Sequence, residues 1–407
     1  MLPDISGCKI ISGEVQLPPS KSILNRLLII ADLAGQELPP QSSSDSGDSV
    51  LLRNLLQRKP EQYYAGMAGT VARFLTARLA ILPGEHLLTA ADRMLLRPMA
   101  PLIDVLQSLG ADITCLGNEG FLPLRIGGVN MKGGKASISG EISSQFISAL
   151  LMVAPYFKNG LELDVRPPFH SKPYALMTAA LMREAGAEVE ITNNRFIVPP
   201  KLYHSFPSSV ESDWSSAAFF YQLLAVARTG SLVLPGLKKN SLQGDAFAAT
   251  FYGRLGVESK FTGKGVHIQY NPHQQLPGKI DIDCSAFPDL VQSFACACAA
   301  LKIPARFTGI STLRDKETDR LGALYLELMK LGVLMSWDEN RLELISFRKA
   351  KPVTIRTYGD HRMAMAFAPL HVLFPKLKIE NPAVVAKSFP HYWDELKAVC
   401  IMDGPMG

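Results

Sequence analysis

Polar and apolar positions along this chain fall into a recurring order. A stretch with apolar residues every three or four positions ends in a glycine, and a short alternating run follows. The order appears at 102–114, 175–191, 246–260 and 323–337. Apolar residues at that spacing line one face of a helix, and alternation over a few residues marks a strand. A glycine just past the last turn is the expected stop between them. The glycines are Gly110, Gly186, Gly256 and Gly332, roughly 70–76 residues apart, a period that predicts repeated supersecondary units. Each period has room for about two helices and four strands. Two further helix-like runs, 23–33 and 69–82, precede the first repeat. The expectation is an α/β (α+β) fold of about six units in two lobes, with the active site in the cleft between them.

Length and composition narrow the classes of function. At 407 residues the chain exceeds one ordinary core. With 47% hydrophobic and 19% charged residues it can bury large cores and is not a disordered chain. A net charge of +5 is mild, and no basic stripe interleaved with aromatics appears, so nucleic acid is not an expected partner. A few cations concentrated on a small anionic substrate fit better. The six cysteines form no C-x-x-C pair and lack zinc-type spacing with histidine. Reduced thiols and no metal are expected, with Cys296 and Cys298 buried in the apolar run 294–301. No signal-peptide pattern and no apolar run of about 18 residues occurs. A cytoplasmic protein without membrane attachment is expected.

The chemistry concentrates at predicted helix starts. Residues 314–320 carry three cations and three carboxylates directly before an apolar helical run. Acids suit the positive end of a helix, whereas Lys316 and Arg320 do not, so a bound anion is the alternative to a plain solvated helix start. The same grammar recurs elsewhere. Lys21, Ser22 and Arg26 gather at one start, although a serine there can equally be a simple cap. Gly66 and Gly69 flank a turn whose amides can approach an anion, with Thr70 next to them. Arg97 precedes a proline that can open a helix. Ser143, Ser144 and Gln145 form a neutral hydrogen-bonding shelf, and Ser171 with Tyr174 repeats it with a phenol. Asp360 beside His361 has the composition of a dyad, though an isolated pair is more often structural. Asp289 heads the helix that holds Cys296; capping explains it, and so does accepting a proton in a cationic cleft.

Nine short motifs stand in a fixed order: SKSxxNR at 20–26, AGTxxR at 68–73, RxxxRP at 93–98, SSQF at 143–146, SKPY at 171–174, QGD at 243–245, KETDR at 316–320, DHRMAM at 360–365 and KSFP at 387–390. Together they span almost the whole chain, which closely resembles the 5-enolpyruvylshikimate-3-phosphate synthase family. The resemblance implies a two-lobed inside-out α/β barrel, each lobe built of three β-α-β-α-β-β-type units. The chain crosses between lobes near residues 19 and 243, so that 1–19 plus 243–407 form one lobe and 20–242 the other. It implies transfer of the enolpyruvyl (1-carboxyvinyl) group from phosphoenolpyruvate to the 5-hydroxyl of shikimate 3-phosphate, with no metal or organic cofactor, by a monomer.

Carried over by motif, Lys21, Arg97 and Lys387 hold the phosphoenolpyruvate phosphate, beside Gly69, and Arg320 with Arg362 clamps its carboxylate. Ser22, Arg26, Ser143, Ser144, Gln145, Ser171, Tyr174, Lys316 and Thr312 serve shikimate 3-phosphate. Asp289 is the base, and Glu317, with Lys21, the acid. Two positions depart from the family pattern, Met67 and Thr312, where asparagine is usual. The competing expectations are a ligand-binding relative impaired at Met67, and the sister enolpyruvyl transferase acting on UDP-N-acetylglucosamine. The sister enzyme is disfavoured because Ser22 follows Lys21 and Cys115 lies outside any glycine-rich loop.

Overall fold

The computed structural model describes residues 5, 8–205 and 209–402. It divides into two compact units. One contains the residues up to Ser20, Ser44–Ser46 and everything from Glu211 onward; the other contains Lys21–Ser43 and Gly47–Val210.

The predicted repeat is present four times as β-α-β-α-β-β. In the second unit the first copy runs through strands Gln62–Tyr64, Gly84–Thr89, Asp112–Cys115 and Leu124–Gly128, with helices Gly69–Leu79 and Ala100–Ser108 between them. The next copy uses strands Gly134–Ser139, Leu161–Arg166, Glu190–Thr192 and Arg195–Val198 with helices Ser144–Val153 and Lys172–Glu184. In both, the first two strands pair in parallel, and the fourth lies antiparallel between the second and the third. The first unit repeats that order in strands Ile280–Asp283, Ala305–Thr308, Val333–Trp337 and Arg341–Phe347.

The remaining complete copy is interrupted. Its first strand, Cys8–Glu14, is separated from its first helix, Trp214–Ala227, by the whole second unit. Cys8–Glu14 nevertheless pairs in parallel with Ser231–Pro235, and Gly265–Tyr270 and Val257–Thr262 complete the sheet. Two incomplete elements make up the rest. Helices Lys21–Leu33 and Gly47–Arg58 open the second unit. The parallel pair Thr354–Ile355 and Lys378–Ile379 closes the first, ahead of Cys400–Met402, which joins the edge of the Cys8–Glu14 sheet.

This pairing places the helix Trp214–Ala227 and the strand Ser231–Pro235 in the first unit. The family resemblance implies that residues 211–242 belong to the other lobe. The structure corrects that assignment, because Ser20 donates its amide to the Glu211 carbonyl and Pro19 bridges Ser212. The chain therefore returns at 211 rather than 243.

Strand burial alternates, as in the sequence Leu161, Leu163 and Val165 facing inward with their neighbours more open, so each sheet has one wet face. The helices lie inside. Trp214–Ala227 is buried from Trp214 to Val226, Val291–Leu301 from Val291 to Ala300, and Lys21–Leu33 from Ile23 to Ala31. A helix apolar on every side has to be surrounded by protein. The architecture is thus sheets outside and helices inside.

The four repeat glycines occupy one equivalent place, between the second helix and the third strand. Their φ angles are +106°, +96°, +89° and +80° for Gly110, Gly186, Gly256 and Gly332. That backbone region disfavours every residue with a Cβ.

Candidate active site

In the first unit, four helix starts come together, and their contacts run through the first turns. Helix Arg320–Lys330 begins later than the sequence suggests. Asp319 is its cap, accepting from the Gly322 amide at 3.1 Å, and Asp315 and Glu317 lie ahead of the first turn rather than in it. Arg320 opens the helix with only 2% of its side chain exposed. Its Nη1 donates to Asp289 at 2.8 Å, its Nη2 to Glu317 at 2.8 Å and its Nε to Asp360 at 2.6 Å.

Asp289 stands just ahead of helix Val291–Leu301, and Arg362 lies in the first turn of helix His361–Phe367. Arg362 donates to the other Asp289 oxygen at 3.0 Å and to Ser215 at 3.3 Å, in the first turn of helix Trp214–Ala227. Lys316 sits 3.4 Å from Asp289, and Lys387 lies 3.2 Å from Glu317. Six residues expected to act together are therefore joined: Asp289, Lys316, Glu317, Arg320, Arg362 and Lys387. Thr312 is not bonded into this set. Its hydroxyl is buried without a hydrogen-bond partner among the described residues.

The electrostatics follow from burial and crowding. Burial alone pushes the Asp289 carboxyl up, but Arg362, Lys316 and Arg320 outweigh it and hold the group well below the usual carboxylate range. Burial lowers the Lys316 ammonium, partly countered by Asp289. Arg320 loses to burial and gains more from Asp360, Glu317 and Asp289, so it is held firmly charged. Asp245 responds differently. Burial and the nearby Asp289 push it up to about 6, against Arg362 and a hydrogen bond from Ser215.

The second unit gathers helix starts in the same way. Arg73, one turn into Gly69–Leu79, donates to the Gln145 side-chain carbonyl at 2.6 Å, and the Gln145 amide donates to Thr70 at 3.0 Å. Gly69 lies beneath two guanidinium groups. A Cβ there would fall 2.6 Å from Arg97 Nη1 and 2.9 Å from Arg73 Nη1.

Arg26 ties three helices together, donating to Thr178 at 2.7 Å, Ser148 at 2.8 Å and the Ser22 carbonyl at 2.7 Å. It is 2% exposed, and burial lowers its pKa to about 10, with Tyr174 acting the other way. Thr178 also donates to the Tyr174 carbonyl at 2.8 Å. Lys21 pairs with Asp48 at 3.2 Å. Ser143 caps its helix by accepting from the Gln145 amide, and Ser144 is buried behind it. Ser171 takes the left-handed conformation, φ +54°, at the start of Lys172–Glu184.

Helices that meet through their first turns lie with their N-termini at one end. Unpaired amides and positive dipole ends then point the same way in each unit, which is the arrangement that attracts anions. The first unit adds four cations, each beside at least one of three carboxylates, a set able both to bind a negative group and to move protons.

Sequence reasoning undervalued Asp360, Ser215 and Asp245. His361 Nδ1 lies 3.6 Å from Asp360, beyond hydrogen-bond distance. The Asp360 carboxylate accepts from Arg320 and from the Arg362 amide at 2.8 Å. The signal available was positional, since Asp360 precedes a helix and Asp245 lies in the QGD motif. Met67 is 39% exposed in the turn ahead of Gly69.

A family model described as EPSP synthase (3-phosphoshikimate 1-carboxyvinyltransferase) matches residues 41–396. A protein of Bacteroides fragilis named 3-phosphoshikimate 1-carboxyvinyltransferase is 42% identical over 396 residues, covering 95% of each chain. A protein of the same name from Photobacterium damsela subsp. piscicida is 36% identical over 417 residues, covering 95% of this chain and 97% of its own. Among solved structures, an EPSP synthase from Acinetobacter baumannii superposes with a TM-score of 0.75 at 21% identity, over 99% of this chain and 98% of the other. That last likeness concerns the fold.

Proposed function

The chain belongs to the EPSP synthase family, and we propose on that premise that it transfers the enolpyruvyl group of phosphoenolpyruvate to the 5-hydroxyl of shikimate 3-phosphate, releasing phosphate. The observation that carries this reading is the junction at Arg320, where one buried guanidinium joins Asp289, Glu317 and Asp360 while Arg362 holds Asp289 from the other side.

Two arginines converging on one carboxylate suit a planar substrate carboxylate in bidentate contact. In this reading Asp289 and Glu317 occupy, in the free protein, the partners that the phosphoenolpyruvate carboxylate takes over at Arg320 and Arg362. That exchange removes cations from both acids and raises their proton affinity toward the useful range. Asp289 then accepts the proton of the attacking hydroxyl as its oxygen bonds to C2 of phosphoenolpyruvate. Glu317, with Lys21, delivers a proton to the C3 methylene, giving a tetrahedral intermediate. Cleavage of the C2–O bond releases phosphate, and loss of a C3 proton restores the double bond.

Lys21, Arg97 and Lys387 serve the phosphate, beside Gly69, and Lys316 serves shikimate 3-phosphate together with Ser22, Arg26, Ser143, Ser144, Gln145, Ser171, Tyr174 and Thr312. A monomeric, cytoplasmic protein without metal or organic cofactor completes the reading.

The test is phosphate release by the purified protein with both substrates and with each alone. Release is expected only with both. Asp289→Ala and Glu317→Gln are each expected to lower kcat by about 10²–10⁴-fold, the usual weight of general acid–base groups. Binding of shikimate 3-phosphate without any release would favour the impaired relative and point to Met67.

A further inference from the structure

The first unit contains an apolar hollow that the catalytic reading does not use. It lies past the C-terminal ends of helices Val291–Leu301 and Arg320–Lys330, away from the helix starts that hold Asp289 and Arg320. Its volume is about 290 Å³, and its floor and walls include Ala299, Ala300, Leu331, Val333, Phe347 and Phe374. A second hollow of about 290 Å³ adjoins it and shares Ala350 and Phe374. Every charged residue lining the pair is a cation: Lys302, Arg348 and Lys349 at the first, Lys351 and Lys376 at the second.

None of these five cations has a carboxylate partner among the described residues. Arg306, Arg314, Arg341 and Arg356 of the same unit, by contrast, each lie beside an acid. Some exposed cations elsewhere in it, such as Lys260 and Lys264, do not, so what marks the hollows is that their whole charged lining has one sign. Lys302 has a local explanation, because it follows the last turn of a helix in the left-handed conformation, φ +57°, where a cation suits the dipole. The other four have none. Arg348, Lys349 and Lys351 fall within four residues, so they repel one another with no acid to relieve them. Like charges gathered around apolar walls create a positive potential over a surface that water solvates poorly.

We propose that these joined hollows bind a small amphipathic carboxylate, with an apolar body against Leu331, Phe347 and Phe374 and its charge among Lys349, Lys351 and Lys376. The apolar walls supply affinity through burial. The cations select a negative headgroup over a neutral one of the same shape. The site stands whether or not the proposed transferase reaction is correct.

The test uses 1-anilinonaphthalene-8-sulfonate fluorescence on the full protein, with octanoate as competitor and octan-1-ol as its uncharged counterpart. Octanoate is expected to displace the dye at a concentration at least fivefold lower than octan-1-ol. The double variant Lys349→Glu, Lys351→Glu is expected to weaken octanoate binding at least fivefold, while phosphate release and the melting temperature stay as in the parent. Phe374→Ala is expected to weaken octanoate and octan-1-ol together. A loss below fivefold in the double variant, or displacement of the dye by shikimate 3-phosphate with phosphoenolpyruvate, overturns the proposal.

Discussion

Arg320 and Asp360 form an enclosed pair in which the arginine Nε donates to one carboxylate oxygen at 2.6 Å and Nη2 to the other at 3.4 Å. With the plane of the guanidinium held from behind, Nη1 and Nη2 are left facing Asp289 and Glu317. Asp360 therefore positions a group it shares with both proposed proton-transfer residues. Removing one member of a buried pair leaves an uncompensated charge, at a cost of about 3–5 kcal/mol. Asp360→Ala is expected to lower the melting temperature by several degrees and to raise the KM for phosphoenolpyruvate. Asp360→Asn, which keeps the shape and one acceptor, should lose less stability. Thermal melts and steady-state kinetics on the two variants decide it, and an unchanged melting temperature in Asp360→Ala would contradict the positioning role.

Gly69 gives a sharper separation of binding from folding. A Cβ at this position would lie 2.6 Å from Arg97 Nη1 and 2.9 Å from Arg97 Cζ and Arg73 Nη1. These are the far ends of flexible side chains, so the backbone can stay in place while the guanidinium groups move away. Gly69→Ala is expected to raise the KM for phosphoenolpyruvate at least tenfold, with a smaller change in kcat and a melting temperature within a few degrees of the parent. Equal KM values in the two proteins would remove Arg97 from the phosphate site.

The repeat was legible because its signals are local. Helical spacing, a glycine stop and a short alternating run all lie within about 15 residues of one another, and the four glycines predicted to be equivalent do share one place and one backbone region. The interrupted copy was not legible. Its strand Cys8–Glu14 pairs with Ser231–Pro235 more than 200 residues away, and no local pattern marks 211 as the return point. The site divides along the same line. Asp289, Glu317 and Arg320 were found because charge stands out at helix starts. Ser215 and Asp360 act through partners from other helices, Arg362 for the one and Arg320 for the other, and contacts of that kind leave no spacing to read.

The equivalent glycines are not equally constrained. Gly110 and Gly186 share nearly the same φ, +106° and +96°. A Cβ at Gly110 would meet only the Lys132 amide at 3.7 Å, whereas at Gly186 it would fall 2.0 Å from His204 Nε2. Alanine at either position carries the strain of a left-handed backbone, about 1–2 kcal/mol. Only Gly186→Ala also displaces a neighbouring ring. Urea titrations are expected to rank Gly186→Ala as the less stable of the two. The opposite ranking would mean that the His204 ring moves aside freely.

Asp245 supplies a prediction with a definite sign in pH. Burial and Asp289 raise its pKa to about 6 in the folded protein, against about 3.9 in an unfolded chain. The folded state then binds the proton more tightly than the unfolded state does. Stability falls as pH rises from about 4 to about 6, and above 6 the full penalty remains, on the order of 3 kcal/mol. Asp289 runs the other way. Its carboxyl is held low by Arg362, Lys316 and Arg320 despite burial, so its contribution is complete above pH 4 and disappears only at lower pH. The interval from 4 to 6 therefore reports on Asp245. Asp245→Asn keeps the shape and a polar contact for Ser215 while removing the buried charge. It is expected to melt several degrees above the parent at pH 7.5 and close to it at pH 4.5. Parallel melting curves across that interval, with the same offset at both ends, would show that Asp245 does not titrate there.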